Sequence, residues 1–183
     1  QFSNGYTRDT KISCLRVFIE LVGNQQLIPN FSEVFGGNYS SAEDSTPAPG
    51  TILRWEDDVV PMLRAADNWR NKALVATQWA SGCRPMSEFH KLTYGQLVDN
   101  GNYFTVTTPP ESKTGERDVR IFVGVPYLRK WLENHPAHNE DVLQSDTPIW
   151  TKLDSSSHIC YGTYGKVTSK LSDRAGISKP TNP

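Results

Sequence analysis

The stretch of the sequence that best supports chemistry surrounds one arginine. Arg84 lies between Gly82, which is typical of the end of a helix, and Pro85, which is favoured in the first turn of the next one. A helix start carries unpaired N–H groups and partial positive charge, and a guanidinium beside it adds a planar, permanently charged donor. This pattern predicts a phosphate site at Arg84. The alternative is that Arg84 only forms an ion pair with Glu88, one turn further on.

A second candidate is a lysine in a turn. Lys113 is followed by Thr114 and Gly115, which supplies turn geometry, and it lies between two strand-like segments. An exposed hairpin tip can carry a lysine into a nucleic-acid groove or to a reacting centre. Most such turns are only solvated, so the turn alone does not decide between these two interpretations.

Basic residues also gather near the end of the chain. Lys166, Lys170, Arg174 and Lys179 outnumber the single acid among them, Asp173. Such a segment can contact nucleic acid, although the same balance occurs on ordinary soluble surfaces. The whole chain has 19 Lys+Arg and 20 Asp+Glu, a net charge of −1, so any site for an anion has to be local.

The composition indicates a globular protein. A chain of 183 residues with 37% hydrophobic residues can bury one substantial core. No apolar run approaches the roughly 18 residues of a membrane span, and no charged-then-apolar leader precedes residue 30, so we expect neither membrane insertion nor export. The three cysteines, Cys14, Cys83 and Cys160, are far apart and odd in number, which favours a reducing compartment over a disulfide framework.

Hydrophobic periodicity predicts the elements that position these residues. An amphipathic helix is predicted over 5–23, and a Gly/Ser/Pro-rich linker over 36–50. Further helices are predicted after the linker with Pro61 in a first turn, over 68–81, from Pro85, from Val125-Pro126 and over 162–175. Between them, three β-rich segments predict a small antiparallel meander: 97–98, 103–108 and 119–123, with a hairpin turn at Asn100-Gly101.

Taken in order, these pieces resemble the tyrosine recombinases, or phage-type integrases, including their archaeal members. Gly82, Cys83, Arg84 and Glu88, followed by Leu92 and Tyr94, are similar to the family's first arginine box. Lys113-Thr114-Gly115-Glu116-Arg117 is similar to its lysine hairpin, and Arg174-Ala175-Gly176-Ile177 with Lys179-Pro180 to the segment before its His-x-x-Arg box. The acidic residue follows Arg84 by four positions, whereas the family more usually has three.

The resemblance implies a mixed α+β, mainly helical fold. Residues 51–183 would be the N-terminal part of the catalytic domain, with a small three-stranded antiparallel sheet. Residues 1–35 would be the C-terminal part of a helical, SAM-like core-binding domain, and 36–50 the linker. The His-x-x-Arg box and the tyrosine nucleophile would follow Pro183, because Tyr94, Tyr103, Tyr161 and Tyr164 all precede the nucleophile's place. We therefore expect this chain alone to be inactive while keeping a partial DNA-facing surface.

The implied activity of the parent protein is site-specific cleavage and rejoining of DNA strands through a 3′-phosphotyrosine, with no metal or cofactor. Arg84 would hold the non-bridging oxygens, Lys113 would protonate the departing 5′-oxygen, and Glu88 would orient Arg84. Three further residues would contact DNA: Arg117, Lys166 and Lys170. The expected partners are double-stranded DNA and, on it, further copies of the full-length protein. The expected setting is the cytoplasmic nucleoid, or a virus or mobile element.

Two other functions remain open from the residues alone. One is a non-catalytic DNA-binding or regulatory relative with the same fold. The other is a metal-dependent hydrolase that uses His135, His138 and Glu140. Pro136 opposes helical spacing of those histidines, and the segment is more typical of an exposed loop after a helix. Cys83 is predicted to be a small core residue rather than a nucleophile.

Overall fold

The structure is a computed structural model that describes residues 49–113, 115–139 and 143–181. These ranges belong to the unit Pro49–Pro183. The helix predicted over 5–23 and nearly all of the linker predicted over 36–50 lie outside the described residues. The assignment of a core-binding domain before a catalytic domain therefore stays a prediction.

Helices dominate the described ranges, which contain five α-helices and two π turns. The α-helices are α1 (Val60–Ala65), α2 (Trp69–Ser81), α3 (Val125–Glu133), α4 (Pro136–Asn139) and α5 (Tyr161–Ala175). The π turns, at Trp55–Val59 and Pro85–Phe89, have i to i+5 hydrogen bonds, and short 3-10 turns lie at Pro49–Thr51 and Tyr94–Gln96. No helix in the described part of the chain is long and apolar enough to cross a membrane.

The ends of α2 follow the local sequence signals. The Asn68 side chain accepts a hydrogen bond from the N–H of Asn71 at 2.9 Å and so caps the start of the helix. Gly82 ends it in the left-handed conformation, with φ of +57°. The helix predicted over 68–81 is thus confirmed, and so is the placement of Pro61 in the first turn of α1.

The predicted meander is present as three antiparallel strands in the order β1-β2-β3. The strands are β1 (Leu97–Asp99), β2 (Phe104–Thr107) and β3 (Asp118–Ile121). Val98 pairs with Thr105, which pairs with Arg120, and these three lie on the outer face of the sheet. The inner face is buried through Phe104, Val106 and Ile121. Together the sheet and the helices confirm the mixed, mainly helical fold class.

The core forms where the helices meet the sheet. Helix α2 packs against α3 and β3, and α1 packs against α5. Two aromatic side chains beside the second π turn are 1% exposed, Trp150 and Tyr164. The indole N–H of Trp150 donates to the carbonyl of Phe89 at 2.9 Å. The second π turn is therefore held against the core at its C-terminal end.

Candidate functional site

The connection between α2 and the second π turn places Arg84 at the surface. After Gly82 the chain continues through buried Cys83, whose carbonyl accepts a 2.7 Å hydrogen bond from the Gln78 side chain. Arg84 then adopts an extended backbone conformation as the residue before the turn. Its side chain is 42% exposed. The arginine is thus anchored through its main chain and open to solvent at its guanidinium.

The second π turn explains the unusual spacing of the acidic residue. The carbonyl of Arg84 accepts from the N–H groups of Glu88 and Phe89 at 3.1 and 3.0 Å, and that of Pro85 accepts from His90 at 2.9 Å. An i to i+5 turn holds one residue more than an α-helical turn. Glu88 therefore returns to Arg84 although four positions separate them. The helix predicted from Pro85 does begin there, but it is a π turn that ends at Phe89 and does not extend to Leu92.

The Glu88 carboxylate closes the turn by binding Arg84 twice. Its Oε2 accepts from the Arg84 backbone N–H at 2.9 Å, and its Oε1 accepts from Nη1 of the same residue at 3.2 Å. The side chain of Glu88 is 0% exposed. The predicted ion pair between these residues is thus present. A carboxylate of the chain itself occupies the backbone donor that the sequence pattern offered to a phosphate.

A second arginine reaches the same carboxylate from the connection just before β3. Arg117 Nη2 lies 2.7 Å from Glu88 Oε2, and Nη1 lies 3.1 Å from Oε1. These bonds lower the pKa of Glu88 to about 2; the Arg84 N–H and both arginine charges act in the same direction, whereas burial opposes it. Glu88 is therefore a carboxylate at neutral pH. We call Arg84, Glu88 and Arg117 the Glu88 cluster.

The lysine loop (residues 109–113 and 115–116) joins β2 to β3 next to this cluster. Its inner side is ordered by Ser112, whose hydroxyl donates to the carbonyl of Gly115 at 2.7 Å, and Gly115 has φ of +74°. Lys113 is exposed and forms no ion pair among the described residues. The structure thus unites Arg84, Glu88 and Arg117, and it leaves Lys113 on an exposed loop that enters β3 just after Arg117.

Solved structures of recombinases share this fold. The crystal structure of XerA recombinase matches with a TM-score of 0.54 and 19% identity, over 84% of this chain and 53% of the other. XerH site-specific recombinase, in a pre-cleavage complex with its difH substrate, matches with a TM-score of 0.56 and 15% identity, over 81% and 42%. The chain has a tyrosine recombinase fold.

A post-cleavage complex of XerH with a palindromic difH substrate matches as well, with a TM-score of 0.55 and 17% identity, over 80% of this chain and 40% of that one. The chain therefore spans between 40% and 53% of the length of these recombinases. No protein-family model matches the chain, and no curated protein matches it.

On this recombinase fold, the basic segment near the end of the chain is less positive than predicted. Arg174 Nη1 lies 2.6 Å from Asp67, and Lys179 Nζ lies 2.5 Å from Asp58, so two of the four bases are neutralised by ion pairs. Lys166 and Lys170 are exposed on α5. These two lysines are the part of the predicted basic surface that the structure leaves to solvent.

The predicted metal site is not favoured. His135 is 0% exposed, and its two ring nitrogens face the main chain: Nδ1 accepts from the N–H of Ala137 at 3.2 Å, and Nε2 lies 3.1 Å from the carbonyl of Pro148. His138 is exposed, and Glu140 lies outside the described residues. No group of three metal-ligating side chains occurs within the described ranges.

The expectation of an exposed loop is wrong for His135 and Pro136, because both are buried and His135 fills the core next to α4. Its ring packs against Trp131 and Tyr94, with ring centroids 5.0 and 5.2 Å apart.

Cys83, in contrast, is the core residue that the sequence predicted. It is 2% exposed, and burial raises the pKa of its thiol.

The contact between Arg117 and Glu88 is the feature of the site that the sequence analysis missed. Arg117 was expected to contact DNA, and Glu88 was expected to serve Arg84 alone. Arg117 lies 29 positions after Glu88, in the connection just before β3, so neither periodicity nor motif spacing indicates their pairing. The four-residue spacing from Arg84 to Glu88 indicates only the contact between those two residues, and the sequence contains no signal for the contact of Glu88 with Arg117.

Proposed function

We propose that the Glu88 cluster binds a phosphodiester of double-stranded DNA, and that the chain is part of a site-specific recombinase that cleaves and rejoins DNA strands. The observation that carries this proposal is Arg84, whose side chain is 42% exposed while its guanidinium is held by the Glu88 side chain, which is 0% exposed, in a chain with a tyrosine recombinase fold. A positioned, charged, planar donor suits the oxygens of a phosphodiester.

The charge of the cluster supports the same proposal. Two guanidiniums surround one carboxylate, which leaves one positive charge in excess. Both arginine side chains are partly exposed, at 42% and 37%, while the side chain of Glu88 is buried. The excess therefore faces the solvent side, where an anion would approach. The chain as a whole has a net charge of −1, so this attraction is local and binding should weaken as salt is added.

In the proposed cleavage step, a tyrosine gives up its hydroxyl proton to water, and its oxygen attacks the phosphorus and forms a new P–O bond while the bond to the 5′-oxygen breaks. Arg84 binds the non-bridging oxygens, whose charge grows in the transition state. Lys113 gives a proton to the leaving 5′-oxygen, and Glu88 orients Arg84. The step uses charge and proton transfer from side chains, with no metal or cofactor in it.

The attacking tyrosine is assigned to none of the four tyrosines that the sequence analysis considered. The hydroxyl of Tyr164 is buried and donates to the Gln78 side chain at 2.6 Å, and burial raises its pKa. Burial likewise raises the pKa of Tyr94. A raised pKa disfavours the phenolate and so opposes a nucleophilic role. Tyr103 and Tyr161 are not proposed as the nucleophile, because both precede the place that the nucleophile has in the family's sequence order.

Three further residues complete the proposed DNA surface. Arg117 adds positive charge beside Arg84, and Lys166 and Lys170 offer exposed charges on α5. The two XerH structures are complexes with difH substrate, which supports DNA as the partner proposed for this chain. Assembly of the full-length protein into homo-oligomers on DNA, and a nucleoid, viral or mobile-element setting, belong to the same proposal.

The test is the salt dependence of binding to a fluorescent DNA duplex. Each lost phosphate contact reduces the slope of log affinity against log salt by about 0.9. We expect this reduction for Arg84→Ala and for Lys113→Ala. The matched controls are Arg64→Ala and Lys152→Ala, which remove exposed charges outside the cluster and should leave the slope unchanged. Binding that is insensitive to salt, or a slope that Arg84→Ala leaves intact, would overturn the proposal.

A further inference from the structure

Arg117 differs from the other predicted DNA contacts because its guanidinium faces a carboxylate inside the protein. Resting on the proposed function, we infer that Arg117 is a positioning residue, which couples the lysine loop to Arg84 through Glu88. It acts through these two residues in addition to the positive charge that it places beside Arg84.

The backbone of Arg117 closes the lysine loop. Its N–H donates to the Thr108 hydroxyl at 3.0 Å, and its carbonyl accepts from the Thr108 N–H at 2.9 Å. Thr108 is 0% exposed, so this closure is part of the core. Arg117 therefore occupies the point at which the loop that carries Lys113 returns to β3. A displacement of its backbone would displace the end of that loop.

The side chain of Arg117 extends this closure to the other half of the site. Its Nη1 and Nη2 donate to the two oxygens of Glu88, and the same oxygens accept from Arg84. A bidentate pair fixes orientation as well as distance, because both donors of the planar guanidinium must align at once. The hydrogen bonds run without interruption from the loop closure, through Arg117 and Glu88, to Arg84.

This arrangement differs in its consequences from a simple phosphate contact. If Arg117 only bound DNA, its loss would lower the salt slope and leave the free protein unchanged. If it positions the site, its loss would loosen the lysine loop and the Arg84 turn before any DNA is present. In addition, the contribution of Lys113 to the DNA-binding energy would no longer depend on Arg84.

The experiment compares hydrogen exchange in the free chain for Arg117→Ala, Arg117→Lys and Arg120→Ala. The matched control is Arg120→Ala, because Arg120 lies three residues after Arg117, on the outer face of β3, with its guanidinium 5.7 Å from the Tyr103 ring. The informative amides are those of Gly115 in the loop, which donates to Ser112 at 2.9 Å, and of Arg84, which donates to Glu88.

For Arg117→Ala we expect both amides to exchange about tenfold faster or more, because a charge-assisted bond to a buried carboxylate is lost. Arg117→Lys keeps the positive charge but not the planar pair of donors. This variant should therefore keep the fold and restore part of the protection of both amides from exchange. Arg120→Ala should change neither amide. The inference is overturned if Arg117→Ala speeds exchange at the Gly115 amide alone or at neither amide. If the alanine variant does not fold, the same criterion applies to Arg117→Lys.

DNA binding then separates this inference from the proposed function. The energies lost in Arg84→Ala and Lys113→Ala should be coupled in the wild-type background and additive in the Arg117→Lys background. Absence of DNA binding would refute the proposed function while the exchange results still decide the coupling. If DNA binding is normal and the coupling between Arg84→Ala and Lys113→Ala is equal in both backgrounds, the positioning role of Arg117 is refuted and the proposed function stands.

Discussion

Arg117 and Glu88 face each other through two hydrogen bonds, with Nη2 2.7 Å from Oε2 and Nη1 3.1 Å from Oε1. Glu88 is 0% exposed and also binds Arg84, so one buried carboxylate is shared by two arginines. Removing it would leave two positive charges side by side. The stability of the fold and the geometry of the proposed phosphate site therefore depend on the same side chain.

The replacement Glu88→Gln should lower the free energy of unfolding by about 2 kcal/mol, since a neutral amide cannot accept four charge-assisted bonds. The loss should stay below that for a fully buried ion pair, because water reaches both guanidiniums. Urea unfolding at pH 7 measures it. The control is Glu133→Gln, which removes a surface pair with Lys130 and should cost about 0.5 kcal/mol or less. Equal losses for the two variants would contradict this account.

Acid should lower the unfolding free energy of the wild-type chain, because it protonates Glu88. Its pKa is about 2 in the folded chain, against 4.5 for an ordinary glutamate. The folded state then binds fewer protons than the unfolded state between these values, so the stabilisation is complete above pH 4.5 and is lost as the pH falls towards 2. Unfolding free energies at pH 6, 4 and 2.5 should show the gap between wild type and Glu88→Gln narrowing. A gap that stays constant would be inconsistent with the lowered pKa.

Gly82 is expected to be needed for its backbone conformation. An added Cβ meets no atom within 4 Å there, so Gly82→Ala should cost about 1 kcal/mol through the φ of +57° alone. Gly165 in α5 also has open space but no positive φ, so Gly165→Ala should stabilise the chain by about 0.5–1 kcal/mol. Thermal or urea unfolding gives both values. The same sign for the two variants would rule out the conformational explanation.

The hydroxyl of Tyr164 supports the connection that leads to Arg84. It donates to the oxygen of the Gln78 side chain at 2.6 Å, and the nitrogen of that side chain holds the Cys83 carbonyl. Tyr164→Phe leaves the Gln78 oxygen without this donor and should cost about 1–2 kcal/mol in unfolding free energy. Tyr127→Phe is the comparison, at a partly exposed tyrosine, and should be nearly neutral. A neutral Tyr164→Phe would show that the bond adds nothing.

Much of the fold could be predicted because its signals act over a few residues. Asn68 and Gly82 mark the two ends of α2, Pro126 begins α3, and the Asn100-Gly101 pair marks the first hairpin of the sheet. These residues work through their own backbone preferences and local hydrogen bonds, which the sequence contains in full. Local signals also place Arg84, since Gly82 ends one helix and Pro85 begins the next turn.

Other features required tertiary contacts. The loss of basic surface depends on ion pairs of Arg174 and Lys179 with acids more than a hundred positions earlier in the chain. The burial of His135 depends on the Pro148 carbonyl and the Ala137 N–H, which pair with its two ring nitrogens. In both cases the partner is supplied by packing, which residue spacing does not reveal.

The site shows the same division. The sequence by itself determined that an arginine follows the Gly82 helix end, that a lysine lies in the turn between two strands, and that an acid lies one turn after the arginine. The tertiary structure decided that the acid is buried in a π turn and that Arg117 reaches it from the residue just before β3. Only when the sheet packs against α2 does the strand come close enough for that bond, and burial then makes the carboxylate dependent on both arginines.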